Sequence, residues 1–419
     1  MRRYIYANET VDTGRLQVNV YSNNVSTPID NATIRIAPRT NGKIVDEIVT
    51  NSSGQTPIMD LAAPPLEFSQ SPGEPKPYSE YDLFVMNEGH EAVMVEGVQI
   101  LPNATAIQNV TLTPISNDTL QTQKVDIEEH TLWGVFPPKI MEDEVKPLPE
   151  SLGFVVLPEP VIPEFVVVHN GVPTDKNAEN FWVPFKDYIK NVASCEIYST
   201  WPIASLYANI LAILSFTLNR VYTEWYRGKG FDFTLTNNTA FDQAFSYGRN
   251  IFQEISVIVD EMFTSFITRP GIGQPLFTQY CDGSRVRCPD ALEQWGTKSL
   301  AESGYDAIGI LKHYYGENIF LMQAQKVSGV PMSYPGAPLQ TGSSGASVRT
   351  IQQQLNEISN NYPAINKIRV DGVFGEQTRT AVETFQKIFD LPASGIVDFS
   401  TWYTISNIYV AVTKLAELN

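Results

Sequence analysis

Residues 195–226, CEIYSTWPIASLYANILAILSFTLNRVYTEWY, contain the most apolar stretch of the chain, which runs from Leu206 to Val221. A helix that crosses a bilayer needs about eighteen or more consecutive apolar residues. Polar side chains interrupt this run well before that length, namely Asn209, Ser215, Thr217 and Asn219. The pattern therefore predicts a buried helix rather than a membrane span.

On both sides of this helix the sequence mixes strand and helix patterns. An apolar strand begins in EFVVVHNG, residues 164–171, and a second patterned block, LEQWGTKSLAESGY, covers residues 292–305. A third segment, ILKHYYG, follows at residues 310–316. This mixture of strands and helices predicts an α+β domain over residues 165–330.

Residues 14–114 carry a different pattern, in which apolar side chains recur at every second position. Segments such as Leu16–Val20 and Tyr81–Val85 have this period, and turn-forming clusters such as residues 51–54, NSSG, separate them. About seven short strands at this spacing predict an antiparallel β-sandwich over residues 1–113. The strand and turn order around TNSSGQTPI, residues 50–58, resembles prealbumin-like modules, which are usually structural.

Two segments between these regions have the composition of linkers. Residues 114–167 contain 10 acidic and 3 basic residues, and seven prolines fall between Pro137 and Pro163. Such a composition buries little apolar surface, so residues 114–164 are predicted to be an extended, accessible linker. It serves either as a spacer or as a site of proteolytic processing. The Pro-, Gly- and Ser-rich residues 331–344 form a second predicted linker.

The remaining residues, 345–419, begin with apolar side chains at helical steps of three and four, at Val348, Ile351, Leu355 and Ile358. The stretch 345–402 also contains VDGVFG at residues 370–375, AVETFQ at residues 381–386 and TW at residues 401–402. This pattern resembles the three-helix peptidoglycan-binding domain. The resemblance implies that the domain binds glycan or stem peptide, although most of the motif positions are those of a helical core.

The central domain resembles SpoIID-type lytic transglycosylases in two separate blocks. In the first, Glu196 precedes Trp201-Pro202 and the long apolar helix; in the second, Gln294-Trp295-Gly296 precedes a helix and ILKHYYG. The sequence departs from that family at residues 288–291, CPDA, where a His-Gly-Val-Gly run is usual. The resemblance implies cleavage of the glycan strands of peptidoglycan.

The order of these segments resembles that of the clostridial spore cortex-lytic enzymes. Members of that group are made as zymogens, stored in the spore and cut during germination by subtilisin-like Csp proteases. The resemblance therefore implies spore cortex peptidoglycan as substrate, a Csp protease as activating partner and a location in the cortex or coat region of a bacterial spore. It implies neither a cofactor nor a metal.

Charge and the first residues limit the other partners. The 419 residues include 46 acidic and 29 basic side chains, which give a formal net charge of −17. An acidic surface repels phosphate backbones and anionic lipid, so neither nucleic acid nor a membrane is an expected partner. The sequence begins MRRYIYANE and shows no apolar segment of the kind that a Sec signal peptide needs.

Glu196 is the candidate catalytic residue. A single carboxylic acid can protonate the departing glycosidic oxygen and then accept a proton from the 6-hydroxyl of the same sugar. Apolar neighbours such as Cys195 and Ile197 would disfavour its ionised form. The alternative is a glutamate that only caps a helix. Candidate substrate-binding residues are Gln294, Trp295, Trp201 and Tyr198, because amides bind acetamido groups and aromatic rings stack on sugars.

Hydrolysis would need a partner carboxylate for Glu196, and three are conceivable: Asp232, Asp242 and Asp282. Cys281 and Cys288 flank a polar six-residue loop, so a disulfide, a free pair and half of a zinc site all remain open. Cys195 is expected to be a small buried thiol rather than a nucleophile. The predicted activation site is the apolar, proline-free pentad Gly153, Phe154, Val155, Val156 and Leu157.

Overall fold

The computed structural model describes residues 12–22, 27–73, 75–115, 122–146, 159–288, 291–324, 326–327 and 334–413. Within residues 12–126 it contains strands in two facing sheets. These strands are β1 (Asp12–Ser22), β2 (Thr27–Pro28), β3 (Thr33–Pro38), β4 (Asp46–Val49), β5 (Met59–Ala63), β6 (Ser79–Met86), β7 (Ala92–Ile100), β8 (Thr105–Leu112) and β9 (Thr122–Asp126). A short 3₁₀ helix, Leu66–Ser69, follows β5.

The period of two in this region arises from the two sheets and their shared core. Leu16, Val18 and Val20 are fully buried, and so are Ile34 and Val85 on the opposing sheet. One sheet has the order β4-β3-β6-β7-β9, and the other contains β8, β1, β2 and β5. The predicted all-antiparallel pairing is wrong at two places, because β1 pairs in parallel with β8 and β7 in parallel with β9.

Where the structure describes it, the central region combines short strands with five helices. The helices are α1 (Phe185–Glu196), α2 (Ile203–Tyr222), α3 (Gln253–Met262), α4 (Gln294–Glu302) and α5 (Ala307–Tyr315). The strands are β10 (Val161–Ile162), β11 (Phe165–His169), β12 (Asn180–Pro184), β13 (Leu235–Thr236), β14 (Ile251–Phe252), β15 (Ser265–Thr268), β16 (Tyr280–Cys281), β17 (Leu292–Glu293), β18 (Phe320–Gln323) and β19 (Lys326–Val327). A 3₁₀ turn covers Arg227–Lys229. Strand β14 pairs with β8, so the central region extends a sheet of the β-sandwich.

Helix α2 is the buried helix that the sequence predicted. By length and composition it could cross a membrane, but 83% of its apolar window lies inside the molecule. Its polar residues are bonded to other elements: Asn209 donates to the Thr297 hydroxyl at 2.7 Å, and Asn219 donates to the Pro275 carbonyl at 2.7 Å. These hydrogen bonds replace the bonds to water that the polar groups lose on burial, and they hold the neighbouring elements against α2.

Three helices, α6 (Ala346–Ile358), α7 (Glu376–Ile388) and α8 (Phe399–Thr413), form the last domain that the structure describes. Their inward faces are those predicted by the helical period, with Val348, Ile351 and Phe385 fully buried. The domain also packs against the rest of the chain. Phe263, just after α3, contacts Phe399 and Tyr403 of α8, with ring centroids 5.7 and 5.3 Å apart.

Residues 127–146, called here the strap, lie between the β-sandwich and the central domain. The sequence predicted an accessible linker, whereas this part of it is held against the central domain by main-chain and side-chain bonds. Ile140 N–H donates to the Ala240 carbonyl at 2.7 Å, and Phe277 N–H donates to the Glu144 carbonyl at 2.8 Å. Charged residues of the strap contribute to this attachment, and Glu142 forms an ion pair with buried Arg220 at 2.7 Å.

Candidate functional site

Helix α1 places Glu196 at its last position. The helix ends there because Ile197 has an extended backbone, and the chain then passes through Trp201 to Pro202. Proline fits this place because its fixed φ suits the start of a helix, here α2. Two consecutive helices thus hold Glu196 at a buried junction, where only 4% of the residue is exposed.

Four hydrogen-bond donors surround the Glu196 carboxylate. Its Oε1 accepts from the Ala244 N–H at 2.9 Å and from the Tyr280 hydroxyl at 3.3 Å. Its Oε2 accepts from Gln294 Nε2 at 3.2 Å and from the Thr131 hydroxyl at 3.3 Å, which shares its proton with the Cys195 carbonyl at 3.0 Å. The surroundings are therefore more polar than the sequence predicted, and both carboxylate oxygens have fixed directions.

A cavity of about 230 Å³ lies beside Glu196. The central domain lines it with Tyr280, Cys281, Asp282, Arg285 and Gln294, besides Glu196 itself. The strap supplies much of the remaining wall through residues between Thr131 and Lys139. The volume is below the roughly 300–1,000 Å³ that is usual for ligand pockets. With the strap in place, the space beside Glu196 is thus small for a sugar chain.

The strap also completes the end of α1. The Thr131 N–H donates to the Cys195 carbonyl at 3.0 Å, and the ring of His130 lies 4.4 Å from that of Tyr198. The last carbonyls of a helix have no partner within it, so such contacts satisfy groups that would otherwise need water. Burial lowers the pKa of His130 well below its usual value, with a further contribution from the charge of Arg249.

Lys139 brings a positive charge from the strap into the cavity wall. Its Nζ donates to the Asp242 carbonyl at 2.6 Å and lies 4.8 Å from the centre of the Tyr280 ring. Burial lowers the pKa of Lys139, while the charges of Glu196 and Asp242 act in the opposite direction. Burial and the nearby Glu196 charge also raise the pKa of Tyr280 well above its usual value, so its hydroxyl keeps its proton.

The predicted substrate-binding residues fall into two groups. Gln294 lines the cavity and contacts Glu196 twice, since its Nε2 also donates to the Glu196 main-chain carbonyl at 2.9 Å. Trp201, Trp295 and Tyr198 instead form a buried aromatic cluster, in which the two indoles are 4.8 Å apart. The indole N–H of Trp201 donates to the Ser69 carbonyl of the β-sandwich at 2.9 Å. These three rings brace an interface in the present structure, and sugar stacking on them stays a prediction.

Cys281 and Cys288 are both buried free thiols that contact each other. The hydrogen bond to Cys288 and burial together raise the pKa of the Cys281 thiol. Among the residues that the structure describes, no group of three or more His, Cys, Asp or Glu side chains is placed to hold a metal. Cys195 is likewise a buried thiol whose pKa burial raises, which disfavours a nucleophilic role.

Of the three carboxylates considered as partners, Asp282 shares the cavity with Glu196. It accepts main-chain hydrogen bonds from Ser284 at 3.0 Å and Val286 at 2.8 Å. Asp242 is fully buried and pairs with Arg220 at 2.8 Å, and Asp232 accepts from Asn180 at 3.2 Å near β12. The predicted cleavage pentad, residues 153–157, lies outside the described residues.

Sequence reasoning missed Thr131, Lys139, Tyr280 and Arg285. The one signal available was the presence of basic residues, Lys139 among them, within an otherwise acidic segment. A base retained in an acidic stretch suggests a specific anionic or carbonyl partner elsewhere. The identity of that partner could not be read from the sequence, because Lys139 and Asp242 are 103 positions apart.

Comparison with known proteins gives one family match. Residues 344–405 match the family PG_binding_1, described as "Putative peptidoglycan binding domain". No curated protein matches the chain. A solved structure of the SleB N-terminal domain aligns at 32% identity with a TM-score of 0.15, covering 17% of this chain and 93% of that one.

Two further structures resemble parts of the chain. The minor pilin GBS52 of Streptococcus agalactiae aligns at 13% identity and a TM-score of 0.19, over 27% of this chain and 49% of that one. Catechol 1,2-dioxygenase from Pseudomonas arvilla aligns at 13% identity and a TM-score of 0.19, over 27% of this chain and 56% of that one. At these TM-scores the likenesses support no conclusion. The family match shows that the chain carries a peptidoglycan-binding domain, which makes peptidoglycan a partner.

Proposed function

We propose that this chain is the zymogen of a spore cortex-lytic enzyme, which cleaves the glycan strands of peptidoglycan by lytic transglycosylation. The carrying observation is the buried carboxylate of Glu196, held by four donors beside a cavity that the strap partly walls off. The peptidoglycan-binding domain supports the choice of polymer. The order of segments resembles the clostridial enzyme SleC.

In the proposed reaction Glu196 first acts as an acid. Its carboxyl proton passes to the glycosidic oxygen as the bond from that oxygen to the anomeric carbon breaks. The carboxylate then accepts the proton of the 6-hydroxyl, and that oxygen closes on the anomeric carbon to give a 1,6-anhydro sugar without water. The Ala244 N–H, Tyr280 and Gln294 hold the carboxylate oriented throughout.

The zymogen part of the proposal follows from the strap. Thr131 occupies a hydrogen-bonding position on Glu196 that a sugar hydroxyl would need, and the strap residues narrow the cavity. Cleavage by a subtilisin-like Csp protease near Gly153–Leu157 would separate the strap from the central domain in sequence. The proposed location is the cortex or coat region of a bacterial spore.

The decisive test uses Glu196→Gln in the full chain, cut by protease within residues 147–158. The amide keeps the shape of the side chain but cannot donate the required proton, so lysis of decoated spores should fall by about a thousandfold or more. Sedimentation with insoluble cortex should be unchanged. Glu317→Gln is the matched control, because that carboxylate is 88% exposed and is not part of the cavity wall.

Mass spectrometry of the digested cortex separates the reaction types. Anhydro-muramyl products are lighter by one water than hydrolytic products, so their absence would contradict transglycosylation. A muramidase is the second candidate function, and it is favoured by Asp282, which lines the same cavity as Glu196. If reducing ends alone are found and Asp282→Asn removes them, Asp282 is the second carboxylate of a hydrolase.

A non-catalytic wall-binding protein is the alternative from another class. The peptidoglycan-binding domain would be sufficient for that role. Cortex binding without any release of fragments, in both the cut and the uncut wild-type chain, would establish it. Full lysis by the uncut chain would instead keep the enzyme and end the zymogen part of the proposal.

A further inference from the structure

Arg285 lines the cavity, and its side chain, which is 42% exposed, binds main-chain carbonyl groups of the strap. Its Nη2 donates to the Thr131 carbonyl at 2.8 Å, and its Nη1 donates to the Gly134 carbonyl at 2.7 Å and also to that of Trp133. Among the residues that the structure describes, the cavity lining includes two cationic residues, Arg285 and Lys139, and Lys139 belongs to the strap. When the strap leaves, Arg285 stays in the same cavity lining as Glu196.

The loop that carries Arg285 is held in a defined shape. Asp282 accepts from the N–H groups of Ser284, Arg285 and Val286 at 3.0, 3.2 and 2.8 Å. Gly283 has a φ of +76°, and a Cβ there would come within 2.5 Å of the Cβ of Glu293, beside Gln294. The loop is therefore packed against the start of α4. Because it is already ordered, little conformational entropy is lost when Arg285 binds a ligand.

We propose that Arg285 is a substrate-positioning residue, which binds amide carbonyl groups of the peptidoglycan strand next to Glu196. In the uncut chain, the strap satisfies Arg285 with carbonyl groups of the same chemistry. This inference rests on the proposed function and adds a specificity determinant to it. It also gives the strap a second mode of inhibition, since the strap occupies a substrate contact as well as the space near Glu196.

The kind of acceptor follows from the remaining charges. Arg285 Nε faces the Asp282 carboxylate at 3.3 Å, so one carboxylate already balances the guanidinium. The two terminal nitrogens are left for uncharged acceptors in a planar fork, which suits neighbouring carbonyl oxygens. Peptidoglycan offers such carbonyls in two places, the acetamido groups of the sugars and the amides of the stem peptides.

The experiment compares Arg285→Gln with wild type, each as the full chain before and after cutting within residues 147–158. In the cut enzyme, loss of charged hydrogen bonds should raise KM by roughly 10- to 100-fold with a smaller change in kcat. In the uncut chain, the same variant should loosen the strap. Hydrogen exchange of residues 127–146 should accelerate, and residual lysis should rise above that of uncut wild type.

Arg287→Gln is the matched control, because Arg287 is exposed on the same loop, as Arg285 is, but does not line the cavity. It should behave as wild type in all four measurements. Gly283→Ala is a second variant, which should disturb the loop and raise KM while Arg285 is still present. Intact cortex and amidase-treated cortex without stem peptides distinguish the two sources of carbonyl groups.

An Arg285→Gln effect on both cortex preparations supports acetamido groups as acceptors, and an effect on intact cortex alone supports stem-peptide amides. An unchanged KM on both would overturn the proposal, as would equal losses in the cut and uncut forms accompanied by lower stability. Absence of lysis by cut wild type is a different result, because it contradicts the proposed function itself.

Discussion

The strap and the peptidoglycan-binding domain are attached to the central domain by different kinds of contact. The strap is held largely by main-chain hydrogen bonds and by ion pairs, such as Glu142 with Arg220 and Glu144 with Arg269, both at 2.7 Å. Buried His130 and Leu132 add a smaller apolar contact. Helix α8 is held largely by aromatic packing, with Phe263 buried among Phe399 and Tyr403.

This difference bears on which of the two contacts can be released. Polar contacts exchange readily with water, so their net contribution to stability is small, about 0.5–1.5 kcal/mol for each hydrogen bond. Truncating one buried aromatic side chain to alanine lowers the free energy of unfolding by about 3–5 kcal/mol. Under the proposed function, a strap held by many weak bonds would leave after a cut, while the aromatic contact would keep α8 in place.

The largest expected effect comes from Arg220→Met, which removes a buried residue that connects the strap to the core. Arg220 is fully buried and pairs with both Asp242 and Glu142. Its loss leaves Asp242 as an uncompensated buried charge, so the free energy of unfolding should fall by about 3–5 kcal/mol. Urea denaturation followed by tryptophan fluorescence measures this change.

The control for this prediction is Arg227→Met, whose side chain is 47% exposed. It should stay within about 0.5 kcal/mol of wild type, as is usual at exposed positions. Equal midpoints for the two variants would show that the ion-pair network does not support the fold.

Phe263→Ala tests the aromatic attachment of α8. The ring is 1% exposed, and its removal leaves a cavity against Phe399 and Tyr403 that should cost about 3 kcal/mol. Hydrogen exchange should accelerate in residues 399–413 but not in the strap. Phe263→Leu, which keeps most of the volume, should cost less than about 1.5 kcal/mol. Faster exchange in the strap as well would mean that the two attachments are coupled.

Glu142→Gln should weaken the strap without unfolding the central domain. The amide loses the ion pair with Arg220, which joins the strap to the central domain, so strap docking should weaken by about 2 kcal/mol. Protection of residues 127–146 from hydrogen exchange reports this loss. Glu144→Gln is the comparison, since its ion pair with Arg269 is more exposed and should contribute less. A larger effect from Glu144→Gln would contradict the assignment of Glu142 as the main anchor.

Local patterns predicted much of the fold. The period of two indicated the strands of the β-sandwich, the apolar run from Leu206 indicated α2, and the helical period indicated the last domain. The parallel pairs β1/β8 and β7/β9 could not be predicted, because strand direction depends on the path of the chain between strands.

The candidate site was less predictable than the fold. The resemblance selected Glu196 and Gln294, which the structure brings into contact. The strap was predicted as accessible from its composition, but its docking relies on pairs such as Arg285 with the Thr131 carbonyl, 154 positions apart. Composition reports the mean polarity of a segment, whereas docking depends on specific partners that appear only in three dimensions.

The smallest expected effect is a pH dependence of stability, caused by one buried carboxylate where the peptidoglycan-binding domain meets the central domain. Asp390, just after α7, lies near Lys190 and Asp260 of the central domain. Burial raises the pKa of Asp390 to about 6, partly opposed by the charge of Lys190. The folded chain therefore binds more protons than the unfolded chain between pH 4 and 6, roughly, so its free energy of unfolding should decrease as pH rises through that range.

Asp390→Asn removes this titration, and asparagine tolerates the positive φ of 54° at this position. The variant should be more stable than wild type by about 1 kcal/mol at pH 7, a small gain because solvent screens a partly exposed group. At pH 4 it should have no advantage, since Asp390 of the folded wild-type chain is then protonated. Thermal denaturation at both pH values checks the prediction, with exposed Asp60→Asn as the control. A uniform gain at both pH values would indicate relief of backbone strain rather than removal of a buried charge.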